Sequence, residues 1–213
     1  MPSELKIFLN NLGEGKNLLI FMESKLGEEN HAGITRLQTK SGGVVIWLTG
    51  LSGSGKTTTG RILEKHFREI GSRVEFLDGD ELRRTISSEL GFSKEDRETH
   101  ARRVAFLSQL LSRNGVIAIV ALISPYRSFR EYARNLGGNF VEVWVKCSLE
   151  TCVKRDPKGL YKSASQGDIK NMTGIQAPYE PPTNAEVIID TEEESPEKCA
   201  GKIVDYISKN YFK

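Results

Sequence analysis

Val44-Val45-Ile46-Trp47-Leu48-Thr49-Gly50-Leu51-Ser52-Gly53-Ser54-Gly55-Lys56-Thr57-Thr58 carries an apolar run directly into the pattern G-x-x-x-x-G-K-[ST], the Walker A phosphate loop. The run Val44 to Leu48 predicts a buried strand. Glycines at 50, 53 and 55 open backbone conformations closed to residues with side chains, so successive N–H groups can turn inward around a phosphate. The Lys56 ammonium would then reach the β and γ phosphates, and the Thr57 hydroxyl belongs on Mg2+. A helix starting there points the positive end of its dipole at the nucleotide. Gly50, Ser52, Gly53, Ser54, Gly55, Lys56, Thr57 and Thr58 are therefore the candidate ATP cradle.

Outward from this loop the chain alternates helix and strand. Ile62, Leu63, Phe67 and Ile70 share one helical face, Gly71 stops that helix, and Val74 to Leu77 predicts a second strand. A long helix carries Val104, Leu107 and Leu111 on one stripe, and Val116 to Ile123 predicts a strand buried on both faces. Residues 127 to 136 predict a further helix and Phe140 to Cys147 a fourth strand. Ser148 caps a short helix, Glu186 to Asp190 predicts a fifth strand, and Ser195-Pro196 opens the last helix. The fold class is α/β, a P-loop NTPase fold with a five-stranded parallel sheet sandwiched by helices. Residues 41–213 form that domain. Two segments break the rhythm. Residues 1–40 have mixed charge, glycines and no clear period, and are read as an extension of unknown role. Residues 156–183 hold Pro157, Pro178, Pro181 and Pro182 among basic and aromatic residues, and are read as a lid, because phosphoryl transfer needs water excluded.

The 213 residues carry 30 Lys and Arg against 28 Asp and Glu, a formal charge of +2, so there is no global basic field of a nucleic-acid binder. Met1 to Lys6 lack the basic start and long apolar stretch of a leader, and Leu18 to Met22 is too short to span a bilayer. No membrane partner and a cytoplasmic location are expected. Cys147, Cys152 and Cys199 form neither C-x-x-C nor an even framework and are read as reduced packing residues.

The remaining chemistry gathers at the C-terminal ends of strands, where open α/β sheets bind ligands. Asp78 and Asp80 end the second strand, where paired acids can act on Mg2+ through water or orient an attacking hydroxyl. Arg83 follows one helical turn later, and Arg97 closes Gly91-Phe92-Ser93-Lys94-Glu95-Asp96-Arg97. Arginines offer planar, always-charged forks for phosphate or sulfate oxygens.

With these motifs the chain resembles the adenylylsulfate kinase family over about residues 43 to 210. The resemblance rests on Trp47 to Thr58, Leu77-Asp78-Gly79-Asp80, Gly91 to Arg97 and Ile123-Ser124-Pro125-Tyr126-Arg127. It also rests on Arg155-Asp156-Pro157-Lys158-Gly159-Leu160-Tyr161-Lys162 and on Thr173-Gly174-Ile175 followed by Pro178-Tyr179-Glu180. It implies ATP and Mg2+ as cofactors, with transfer of the γ-phosphoryl to the 3′-hydroxyl of adenosine 5′-phosphosulfate. It implies Lys56 and Asp80 as catalytic groups, with Asp80 as base or hydroxyl-orienting group, and places Arg155 with the ATP cradle. Arg83, Phe92, Arg97, Ile123, Ser124, Lys162 and Ile175 are implied to surround the adenylylsulfate, Phe92 stacking on its adenine. Ser124 resembles the serine considered for a phosphoenzyme in the family; direct transfer is the reading preferred here. A homodimer and functional coupling to a sulfate adenylyltransferase are implied too.

Departures from the family pattern are specific. Met172 stands where many members have phenylalanine, and a looser clamp with retained activity is expected. His100 takes a position of asparagine or histidine and is either a donor to substrate or a helix-surface residue. Ser163 follows Lys162 where a second lysine is frequent, which would weaken one phosphate contact. The alternatives are a related kinase for another nucleotide-like or phosphoramidate acceptor, and a non-catalytic nucleotide-binding domain. A GTPase switch is disfavoured because the chain has no N-K-x-D motif.

Overall fold

The computed structural model describes residues 8–12, 15–19 and 43–212 and divides the chain into two units, 1–35 and 36–213. In the first unit, β1 (Phe8–Leu12) and β2 (Gly15–Leu19) pair antiparallel with Phe8 opposite Leu19. The sequence reading found no period there, and the rest of that extension lies outside the described residues.

The second unit runs β3 (Val44–Thr49), α1 (Lys56–Glu69), β4 (Val74–Asp78), α2 (Gly79–Thr85), α3 (Lys94–Arg113) and β5 (Ile117–Ala121). It continues through α4 (Arg127–Asn135), β6 (Phe140–Lys146), α5 (Leu149–Arg155), α6 (Leu160–Ser165), β7 (Val187–Asp190) and α7 (Pro196–Tyr211). The five strands of this unit form one parallel sheet in the order β4-β5-β3-β6-β7. Strand β3 lies at the centre with all six residues buried, because both of its faces are covered. Ile46 and Leu48 pack with Leu63 and Phe67 of α1 and Ile203 and Ile207 of α7. Val45 and Trp47 on the opposite face pack with Val104 of α3 and Ala133 of α4. Ser148 and Ser195 cap α5 and α7 as expected, their hydroxyls accepting from the N–H groups of Thr151 and Lys198.

Two differences from the sequence reading bear on the site. Strand β5 stops at Ala121, and Ser124 takes a left-handed backbone with φ of 39°. The apolar run continues past the strand through Leu122, whose N–H still donates to the carbonyl of Leu48 at 3.2 Å, and Ile123, and both line the cavity beyond the sheet's end. In the segment 156–183, helix α6 and the bridge between Thr173 and Ala177 give local structure. Tyr161, Ala164 and Met172 are buried there with Leu51 and Cys152. The three cysteines are free; Cys152 and Cys199 are buried and Cys147 is half-buried.

Candidate active site

The phosphate loop joins the end of β3 to α1 at the point where chain direction across the sheet reverses, with β5 on one side of β3 and β6 on the other. Gly55, the residue before α1, has φ of 98°, and a Cβ there would come within 3.4 Å of Thr191. Thr191 donates to the carbonyl of Ser54 at 2.9 Å and receives Arg155, whose Nη1 and Nη2 reach its hydroxyl and carbonyl at 3.0 and 2.6 Å. Arg155 is thereby fixed beside the loop, on the side given to ATP. The Lys56 ammonium donates to the carbonyls of Gly50 and Leu51 at 2.9 and 2.6 Å. Burial lowers its pKa to about 8, with Lys158 acting in the same direction and Cys152, Asp80 and Asp78 opposing. A buried ammonium surrounded by carbonyls is a strong local attractor for phosphate oxygens.

Asp78 ends β4 and uses its two oxygens differently. Oδ1 caps α2 by accepting from the N–H groups of Asp80 and Glu81 at 2.9 and 3.4 Å. Oδ2 accepts from the Thr57 hydroxyl at 3.2 Å. The turn-capping and metal-site readings of this residue are thus compatible. Asp80, in the first turn of α2, pairs with the ammonium of Lys158. Lys158 was quoted only within the Arg155 to Lys162 stretch and given no role, since a lysine in a basic segment says nothing of its partner until the fold sets it against Asp80.

The opposite wall is built by α3 and the loop before it. Ser93 caps α3 at the N–H of Asp96, 3.1 Å away, which sets Phe92 just ahead of the helix. Phe92 is 54% exposed, with the guanidiniums of Arg83 and Arg97 at 4.9 and 5.5 Å from its ring centre. Arg83 donates to the carbonyl of Gly91 at 2.7 Å. Arg97 spans from the carbonyl of Phe92, 3.0 Å, to that of Asn171 in the 156–183 segment, 2.8 Å. Each arginine therefore braces the wall as well as charging it. His100 is buried, not on the helix surface: Nδ1 shares a 3.0 Å hydrogen bond with the Ser87 hydroxyl. Burial and then the Arg83 charge lower its pKa to about 4, so the imidazole is neutral. Ser124 is also buried, its hydroxyl accepting from Trp47 Nε1 at 3.0 Å and donating to Thr49 at 3.1 Å.

These groups line one cavity of about 1530 Å³, which includes Lys56, Thr57, Asp78, Asp80, Arg83, Phe92, Arg97, His100, Ile123, Ser124, Arg155 and Met172. That exceeds the roughly 300–1,000 Å³ usual for one small ligand and suits two. Ser52, Gly53, Gly55 and Thr58 line it too, whereas Gly50 and Ser54 are buried and do not. Ile175 lines a separate cavity of about 490 Å³ with Leu51, Trp144 and Tyr179. The side chain of Lys162 lines neither cavity; its backbone N–H is held by Asp156 at 3.0 Å. Thr191, Lys158 and Asn171 join the site only through the tertiary fold.

The adenylylsulphate kinase family model matches residues 42–190. The chain is 54% identical over 164 residues to an adenylyl-sulfate kinase of Rippkaea orientalis, covering 77% of this chain and 91% of that one. It is 43% identical over 193 residues to an adenylyl-sulfate kinase of Clostridium acetobutylicum, covering 90% and 94% of the two. A solved structure titled as the Mycobacterium tuberculosis APS kinase CysC in complex with AMPPNP and APS superposes with a TM-score of 0.76 at 37% identity, covering 78% of this chain and 98% of that one.

Proposed function

The chain belongs to the adenylylsulphate kinase family, and on that premise we propose how its own residues divide the work of the reaction. The enzyme is an ATP-dependent kinase that phosphorylates adenosine 5′-phosphosulfate to 3′-phosphoadenylylsulfate, releasing ADP. One observation carries the assignment: the phosphate loop, Asp80 and the arginine-flanked Phe92 line a single cavity.

The phosphate loop and Lys56 hold the ATP phosphates, and the ammonium balances charge that develops on the oxygens of the transferring group. Phe92 offers a face to the acceptor's adenine, and Arg83 and Arg97 provide the cationic wall for its phosphosulfate. Asp80 orients the 3′-hydroxyl and accepts its proton. A loose transition state asks for alignment more than for a strong base. The engaged hydroxyl of Ser124, which both accepts and donates, favours direct transfer over a phosphoserine. The Thr57 and Asp78 oxygens, 3.2 Å apart, fit Mg2+, a hard ion that takes few protein ligands and completes its shell with phosphates and water. Held by Thr57 and Asp78, Mg2+ would supply charge neutralisation to the ATP phosphates.

No helix among the described residues is long and apolar enough to cross a membrane. A homodimer and coupling to a sulfate adenylyltransferase, on family resemblance, and a cytoplasmic location complete the proposal. The decisive test compares kcat/KM for adenylylsulfate and for adenosine monophosphate, which offers the same 3′-hydroxyl. A site that pairs its arginines with the sulfate prefers adenylylsulfate strongly, and Arg97→Lys, which cannot hold both carbonyls, lowers that preference by about 1–3 kcal/mol. Equal use of both acceptors by the parent protein would count against the assignment.

A further inference from the structure

We infer that Arg130 is the positioning residue of the acceptor wall, acting through Ser124 and the C-terminal root of the 156–183 segment. This rests on the reading above that Ile123 and Ser124 face the adenylylsulfate. Arg130 sits on α4, outside the cavity, and is 2% exposed. A guanidinium so far from water is tolerated only where its donors are satisfied. Its Nε donates to Glu142 Oε1 of β6 at 2.6 Å. Nη1 donates to the carbonyl of Ser124 at 2.6 Å, and Nη2 to the carbonyl of Glu180 at 2.7 Å. The planar fork thus joins three separate stretches of chain.

The Ser124 carbonyl matters because of the backbone that carries it. Its φ of 39° is seldom adopted by a residue with a side chain, so surrounding bonds must hold it. Arg130 supplies one. Trp47 Nε1 and Thr49 hold the Ser124 hydroxyl, and Tyr179 backs Thr49: its ring lies 5.9 Å from the Arg130 guanidinium and its hydroxyl shares a 3.1 Å bond with Thr49. The Thr49 hydroxyl donates to the carbonyl of Ile123 at 2.8 Å and accepts from Ser124. The same root is stitched down again where Glu180 N–H donates to the carbonyl of Pro125 at 2.8 Å and its carboxylate accepts from Arg127 N–H at 2.8 Å. Wall and root therefore form one hydrogen-bonded body centred on Arg130. These bonds end on the acceptor wall, on the root of the 156–183 segment and on Thr49 just ahead of the phosphate loop, and none ends on residues 50–57, so the clamp bears on the acceptor side more than on the ATP cradle.

The test is steady-state kinetics of the full chain with both substrates varied. Arg130→Lys keeps the charge against Glu142 but cannot reach two carbonyls. It raises KM for adenylylsulfate about tenfold or more while KM for ATP stays within about twofold. Tyr179→Phe, which removes one hydroxyl and leaves the ion pair in place, raises the same KM a few-fold with little change in thermal midpoint. If Arg130→Lys does not fold, Tyr179→Phe decides alone. A wild-type protein inactive toward adenylylsulfate overturns both the function and the clamp. An active wild type whose foldable variants leave both KM values unchanged, or raise them alike, overturns the clamp only.

Discussion

At the scale of single residues, Lys56 gives the sharpest expectation, because burial has moved its pKa to about 8 from an ordinary 10.5. Phosphate binding favours the charged ammonium and so raises that pKa. Above pH 8, ATP binding must therefore take up a proton, and its affinity falls by up to about tenfold per pH unit. Calorimetry in buffers of different ionisation enthalpy reads the uptake directly; no proton uptake at pH 9 would contradict the buried-ammonium picture. Lys56→Ala removes the charge altogether and lowers turnover by about 3 kcal/mol or more, roughly 150-fold, in a coupled assay. Asp80 and Ser124 form a second contrast. Direct transfer requires Asp80→Asn to lose far more rate than Ser124→Ala, and a phosphoserine trapped on the productive path would reverse the roles. The identities of Lys56, Thr57 and Asp80 were legible because spacing in a motif names them. His100 could be named but its burial could not, because a histidine in a helix gives no sign of it until α2 and α3 are packed together.

At the scale of elements, caps and glycines set where the site residues land. The Ser93 cap places Phe92, and Asp78 caps α2 while facing Thr57. Gly60 lets α1 lie close on the sheet, since a Cβ there would meet the Phe76 ring at 2.3 Å. That ring is itself buried and has Arg61 over it at 4.4 Å, which restricts its escape. Gly60→Val should destabilise the fold by about 2 kcal/mol or more through overpacking, measured by urea unfolding. A variant as stable as the parent would show that α1 can lift from the sheet at little cost. In the 44–211 region the strands and helices α1, α3, α4, α5 and α7 were legible from period and capping residues, whereas α6, inside the segment read as a lid, was not. Nor was the end of β5: Leu122 and Ile123 are as apolar as the strand before them, yet the strand ends at Ala121, Leu122 keeps one bond to Leu48 of β3, and the chain turns at Ser124.

For the whole molecule, the division into units 1–35 and 36–213 places every candidate site residue in the second unit. Removing residues 1–40 is therefore expected to leave phosphoryl transfer standing, and a truncated protein that folds and binds ATP but transfers nothing would refute this. The sequence alone determined the nucleotide cradle, the parallel α/β alternation and the acid and arginine candidates, because glycine spacing, hydrophobic period and helix caps act within a few residues of chain. The tertiary structure decided which of those residues share a cavity. It brought Lys158 to Asp80, Asn171 to Arg97, and Arg130 to both Ser124 and Glu180, and it set Ile175 and Lys162 apart from that cavity. Such pairings are made by sheet order and by the folding of the 156–183 segment over the strand ends. They depend on distances between groups remote in sequence, which no local pattern encodes.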